Sequence, residues 1–136
     1  MKYNQMLNGG LITFKTFDVI WVWNILTNEL FIGEGFEELF GYANKNNKGN
    51  LADWGSHLHP DDKDAVEMGL RNSIASSATY WEHAYRFIRA DGSIAKALGR
   101  ASIIRHADGK AYHMIGALQD LSQQNELEES WNRKSA

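Results

Sequence analysis

The chain has 136 residues, 43% of them hydrophobic and 23% charged, with a net charge of −3; this is one domain's worth of chain, long enough to bury a core of its own. No Lys/Arg stripe runs along any segment, which argues against a phosphate-backbone footprint and so against nucleic-acid binding. The lack of cysteine excludes disulfides, thiolate metal sites, Cys nucleophiles and any chromophore bonded to a Cys; it also fits a reducing, cytoplasmic setting. No apolar run approaches the ~20 residues of a membrane span, so direct membrane insertion is not expected.

Residues 1–17 read as an N-terminal cap, in which Met6, Leu7, Leu11, Ile12 and Phe14 would form an amphipathic turn if Gly9-Gly10 did not interrupt it. The β-branched and aromatic run 18–25, DVIWVWNI, predicts a strand, Thr27 to Glu29 a turn, and 30–35 the returning strand. FEELFGY (36–42) predicts a short helix ended by Gly41, 43–50 a polar loop, and 51–58 a helical turn. Pro60 suits the first position of a helix, and Asp61 and Asp62 complement the dipole of its first turn. Val66, Leu70 and Ile74 then mark one face of a helix over 61–76.

Three strand-like runs follow at 79–89, 93–106 and 110–121, joined by two Ala-Asp-Gly turns, a strong hairpin signal. Residues 123–136 predict a polar C-terminal linker helix with Leu127 and Trp131 one turn apart. Two strands before the helices and three after them must share one sheet, whose middle segments can cover only one face. The expected fold is α+β, a five-stranded antiparallel sheet with helices on one face.

His57, His59, Asp61 and Asp62 have the residue types of a metal site or of an acid/base cluster in a small enzyme. The proline and aspartates are already accounted for by a helix start, which would hold those side chains apart, so neither a metal nor a catalytic role is expected.

The order of elements, together with WVWNILTNELF, FEELFGY, Trp54 to Asp62, YRFIRADGS and GALQDLS, resembles the PAS domain of the bacterial sensory-box type over residues 18–122. Where that family usually has Asp-x-Thr this chain has Asp120-Leu121-Ser122, which keeps the hydroxyl. The resemblance implies a signal-transduction module, not an enzyme. Such a module binds a small molecule or mediates dimerisation, and relays a conformational signal to the output domain of a larger protein, a histidine kinase or a cyclic-dinucleotide enzyme. It implies no required cofactor. Relatives that carry haem supply a histidine from the long helix, which has none between 61 and 76; His83 is the substitute. Light-sensing relatives bond a flavin to a Cys that is missing here, which leaves a noncovalent flavin stacked near Trp21 and Trp23.

Alternation in 93–106 puts Ala95, Ala97, Gly99, Ala101 and Ile103 on one face, and Ile94, Lys96, Leu98, Arg100 and Ser102 on the other. With the small set inward, a candidate pocket gathers Trp21, Trp23, His83, Tyr85, Phe87, Ala97, Gly99, Ala101, Met114, Gly116 and Leu118, suited to a small apolar or aromatic ligand. The alternative is a solid interior filled by the tryptophans. On the outer face, Val22, Ile88, Leu98 and Ile104 would form apolar patches, to be covered by the N-terminal segment or by a second copy of the chain in a homodimer. Arg86, Arg89 and Arg100 are candidate anion anchors or surface ion-pair partners. Asp120 and Ser122, the latter as the N-cap of the final helix, are the candidate signal relay.

Overall fold

The computed structural model describes residues 18–44 and 47–122, so the expected cap at 1–17 and linker helix at 123–136, with Leu127 and Trp131, lie outside the described residues. The elements run β1 (Asp18–Asn24), β2 (Glu29–Ile32), α1 (Phe36–Phe40), β3 (Lys48–Asn50), α2 (Leu51–Gly55), α3 (Pro60–Ala75), β4 (Tyr80–Ile88), β5 (Ile94–Arg105) and β6 (Ala111–Asp120). They form one antiparallel sheet in the order β3-β2-β1-β6-β5-β4. The architecture is the expected one with a sixth strand added, because β3 forms inside the stretch read as a polar loop. β3 is held less by apolar alternation than by its surroundings. It pairs with β2 through Leu30 and Gly49, and Asn50 then closes a reciprocal cap with Asp53, accepting from the Asp53 N–H at 2.9 Å and donating its own N–H to the carboxylate at 3.0 Å.

The two Ala-Asp-Gly turns form as read. Gly92 and Gly109 take φ of 88° and 95°, a left-handed geometry that glycine adopts without a Cβ clash. The long hairpins β4–β5 and β5–β6 put the small residues of β5 on the inner face, with Ala95, Ala97 and Ala101 fully buried beneath Phe87, Tyr85 and Trp81 of β4. Helix α3 lays Val66 and Leu70 into the core, with Ile74 at its margin; each such apolar side chain contributes about 1.5–3 kcal/mol when fully buried.

α3 is tied to the sheet at both ends. At the start, Asp62 accepts from the Arg86 backbone N–H at 2.9 Å and takes the guanidinium at 2.9 and 2.7 Å. At the far end its last turn contains no basic residue. Arg105 of β5 supplies the cation instead, donating to the carbonyls of Ser73, Ile74, Ala78 and Gly109 at 2.8–3.1 Å, which satisfies helix-terminal acceptors and opposes the dipole.

The expected apolar patches of the outer face are less exposed than read: Ile104 is buried and Val22, Ile88 and Leu98 are half-buried, while Phe31, Tyr80 and Ile94 are 43%, 43% and 51% exposed. Arg100, one of the candidate anion anchors, is instead buried in an ion pair with Asp18 on this face.

Candidate ligand cavity and signal junction

His57, His59, Asp61 and Asp62 have four different surroundings. His57 to His59 precede the helix as an extended segment on the free edge of β4, with Ile88 N–H donating to His57 O at 2.8 Å and His59 N–H to Arg86 O at 2.9 Å. The His57 ring stacks on Tyr42 at 3.7 Å and meets Phe87 edge-on; burial lowers its pKa below the usual histidine value. His59 is the N-cap of α3, its Nδ1 accepting from the Asp61 N–H at 3.1 Å. The Asp61 side chain is 75% exposed. Asp62 is engaged by Arg86, whose hydrogen bonds hold its carboxyl well below the ordinary aspartate range. The edge pairing, not the helix alone, sends the two histidines to different partners. Among the described residues no group of three or more His, Asp or Glu side chains could hold a metal ion.

Between the sheet and α2 and α3 lies an apolar cavity of about 30 Å³, lined by Val19, Trp21, Trp23, Leu30, Ile32, Leu51, Trp54, Leu70, Trp81, Tyr85 and Leu118. Of the eleven pocket candidates read from the sequence, Trp21, Trp23, Tyr85 and Leu118 stand in this wall. Ala101 lies in the sheet between Trp81 and Gly116, and Ala97 between Tyr85 and Asp120. Gly99 is covered by Trp81: a Cβ there would come within 2.8 Å of the indole. Gly116 has no room at all, since its Cβ would stand 2.0 Å from the Arg100 carbonyl oxygen. Met114 is fully buried, paired across the sheet with Trp23 and Ile103. Phe87 belongs to a ring cluster with Phe36, Phe40, Tyr42 and His57 that meets the wall through Tyr85, its ring 6.5 Å from that of Phe87. His83 is half-buried, its Nδ1 2.8 Å from the Ala84 carbonyl oxygen and its ring under Gly69 of α3.

Seven wall residues were not among the sequence candidates: Val19, Leu30, Ile32, Leu51, Trp54, Leu70 and Trp81. Trp81 was legible, since it shares the period-2 face of Tyr85 and Phe87; Trp54 was not, since its helix is a single turn. Both tryptophans bring polar hydrogens to the apolar wall. Trp54 Nε1–H donates to Tyr85 Oη at 3.2 Å, and the Trp81 indole N–H, on a residue only 5% exposed, has no hydrogen-bond partner. Burial raises the pKa of the Tyr85 hydroxyl, so it stays neutral. In volume the cavity is two to three times the roughly 10–15 Å³ a single water needs. His83, the residue considered as a haem ligand, is not in its wall.

The second cluster lies where β6 ends. The Asp120 side chain is 1% exposed and pairs with Arg89 Nη2 at 2.8 Å. Arg89 also donates through Nε to the Leu39 carbonyl of α1 at 3.2 Å and through Nη1 to Ser93 Oγ at 3.3 Å. Asp120 Oδ1 accepts from the Ser122 N–H at 2.9 Å, and helical conformation begins at Leu121. The capping carboxylate is therefore that of Asp120, not the Ser122 hydroxyl. Ser122 Oγ turns back to accept from the Lys96 N–H at 3.1 Å. Arg86, Arg89 and Arg100 are all claimed by carboxylates of this chain, Asp62, Asp120 and Asp18.

A family described as "PAS fold" matches residues 29–118, well over half of the chain. The chain belongs to this PAS family. Solved PAS-type structures share its fold at low identity. The N-terminal domain of a diguanylate cyclase with PAS/PAC sensor from Marinobacter aquaeolei is 24% identical, covers 79% of this chain and 98% of its own, and superposes with a TM-score of 0.72. A sensory box histidine kinase/response regulator from Burkholderia thailandensis is 19% identical, with 87% of each chain covered and a TM-score of 0.67. The PAS domain of a Colwellia psychrerythraea protein is 19% identical, covers 77% of this chain and 86% of its own, and has a TM-score of 0.61. No curated protein matches the sequence. Among the described residues of this PAS chain no helix is long and apolar enough to cross a membrane.

Proposed function

We propose that this PAS domain is the sensory module of a larger cytoplasmic signalling protein, with no catalysis of its own, and that it passes a change in its core to an output domain through the residues that follow Asp120. The observation that carries this reading is the carboxylate of Asp120. A buried acid stands between the core and the chain exit, holding Arg89 on one side and the Ser122 N–H on the other, while Arg89 reaches α1. A displacement of α1 or of the β4–β5 turn changes the hydrogen bonds that set the direction of the chain after β6. Solved neighbours include a diguanylate cyclase and a histidine kinase, which favours one of those two classes for the output domain.

The test is a pair of ¹⁵N–¹H spectra. Trp21→Phe enlarges the cavity, and the Leu121 and Ser122 amide signals are expected to move. The same change in an Asp120→Asn background is expected to leave them in place. Amides at 121–122 that ignore the cavity, or that respond equally without the carboxylate, rule the relay out.

The small cavity, with Phe31 and Ile94 exposed on the sheet's outer side, favours a second reading: a homodimerisation module that binds nothing. Sedimentation of the chain against Phe31→Ser/Ile94→Ser separates the two. The dimerisation reading requires a dimer that the double variant dissociates, and fails on a strict monomer.

A further inference from the structure

Three parts of the chain meet in a closed circuit of contacts beside the signal junction. The His57 ring stacks on Tyr42 at 3.7 Å. The Tyr42 hydroxyl donates to the Ile88 carbonyl. The Ile88 N–H donates back to the His57 carbonyl at 2.8 Å. The circuit joins the residues after α1, the segment before α3 and the end of β4. Arg89 follows Ile88 in the chain, and its guanidinium spans the Leu39 carbonyl and the Asp120 carboxylate. Of the three members only His57 has a side chain that changes charge near neutral pH; burial, helped by Asp91, raises the pKa of Tyr42 and keeps its hydroxyl neutral.

The surroundings of the His57 ring favour its neutral form. Phe87 meets it edge-on. Burial is the largest influence on its protonation and lowers its pKa, against the opposing pull of the Asp53 carboxylate from α2. From the β4 side, Arg86 is paired with Asp62 and Arg89 with Asp120. From α3, His59 turns its Nδ1 to the Asp61 N–H, and Glu67 lies beside Gly55 and pairs with Arg71. A cation over the face of a tyrosine gains some attraction, but a half-buried one gives up hydration to stay there. The protonated ring gains more by turning to water than by remaining on Tyr42.

We propose that His57 is a proton-operated latch on the signal junction: neutral, it closes Tyr42 and Ile88 into one circuit that holds Arg89 on Asp120; protonated, it leaves Tyr42 and loosens the end of β4 beside Arg89. The inference rests on the reading of Asp120 as the relay, and it supplies a stimulus, acid, that reaches the junction through the Phe87 cluster instead of the cavity.

The experiment titrates the full chain by NMR from about pH 8 to about pH 5. The chain has five histidines, and His57→Phe identifies the His57 ring signal. The His57 Cε1–H, the Tyr42 ring and the Leu121 and Ser122 amides are expected to move on one curve with a midpoint below about 6.5. His57→Phe keeps a ring on Tyr42 and removes the proton site; it is expected to abolish that curve at Tyr42, Leu121 and Ser122 while the spectrum keeps its dispersion. Asp53→Asn removes the carboxylate that favours the proton, and the shared midpoint is expected to fall. Should His57→Phe not fold, sequential assignment identifies His57 and Asp53→Asn carries the comparison. A Tyr42 ring that does not follow His57, a midpoint at or above the ordinary histidine value, or a Leu121–Ser122 titration that survives His57→Phe unchanged would each overturn the latch. Amides at 121–122 that answer Trp21→Phe and ignore acid refute the latch and leave the relay standing. Amides that ignore both, with Tyr42 still following His57, refute the relay and leave the acid-opened stack standing.

Discussion

The two halves of the core are built from the same kind of residue and packed to opposite ends. Around the cavity, Trp21, Trp23, Trp54 and Trp81 enclose space and leave an indole N–H without a partner. Around Phe87 the rings of Phe36, Phe40, Tyr42 and His57 close on one another, with Phe40 and Phe87 5.0 Å apart in edge-to-face contact. The Tyr42 hydroxyl and the Arg89 guanidinium beside it are engaged. The Tyr42 hydroxyl donates to the Ile88 carbonyl, and Arg89 joins Leu39, Ser93 and Asp120. Aromatic content alone does not decide whether a region is rigid. What decides it is whether the rings meet face or edge to one another and whether their polar atoms are spoken for. On the proposed reading, the cavity half is the part that changes and the Phe87 half holds the shape that makes such a change readable at Asp120.

Four substitutions or conditions test that contrast, from the largest effect down. Phe87→Ala removes a fully buried ring from the closed cluster and is expected to cost about 3–5 kcal/mol in urea unfolding; a cost below about 1 kcal/mol would mean the cluster is no tighter than the cavity wall. Gly116→Ala drives a Cβ against the β5 backbone and is expected to cost about 3 kcal/mol, with exchange protection of the β5–β6 amides reduced around Ala101. Gly99→Leu pushes on Trp81, and the cavity lets the indole give way only partly, so about 1–3 kcal/mol is expected; a stabilised variant would show the void to be larger than the structure has it.

The smallest effect is that of pH. His57 has its folded-state pKa lowered by burial, so the unfolded chain takes up the proton first. Stability conferred by the neutral ring is complete above the unfolded value of about 6.5 and falls away as pH drops from there to the lowered folded value. His57→Phe is expected to flatten the pH dependence of Tm in that window. An unchanged slope would move the titration to another group.

What the sequence made legible follows from how local each signal is. The face of β5, the Asp-Gly turns and the α3 stripe of Val66, Leu70 and Ile74 rest on neighbours within one element, and the structure has them as read. The family resemblance set in motion by WVWNILTNELF and YRFIRADGS extended that to the order of elements. Features made by partners far along the chain were not legible. Arg105 serves residues 27 to 32 positions away in α3 and just beyond it. Asp62, read as a dipole partner of its own helix, spends its oxygens on Arg86, 24 residues on. β3 offers no apolar pattern and exists because β2 lends it an edge. The small-residue candidates Ala97, Gly99, Ala101 and Gly116 do not line the cavity; its walls are set by how four tryptophans divide the volume, and no periodicity encodes that.

The double anchoring of α3 has a mechanical consequence. The helix is 16 residues long, about 24 Å at 1.5 Å per residue, and its two arginine clamps come from different strands, β4 at one end and β5 at the other. A beam pinned at both ends cannot slide along its length or swing out like a door. The motions left to it are rolling about its own axis and bowing at mid-span. Mid-span is where Leu70 enters the cavity wall and where Gly69 leaves the His83 ring its space. Any change in cavity volume that α3 accommodates is then expected between the two clamps, around Gly69 and Leu70. The helix behaves as a diaphragm over the cavity, its centre compliant and its rim fixed.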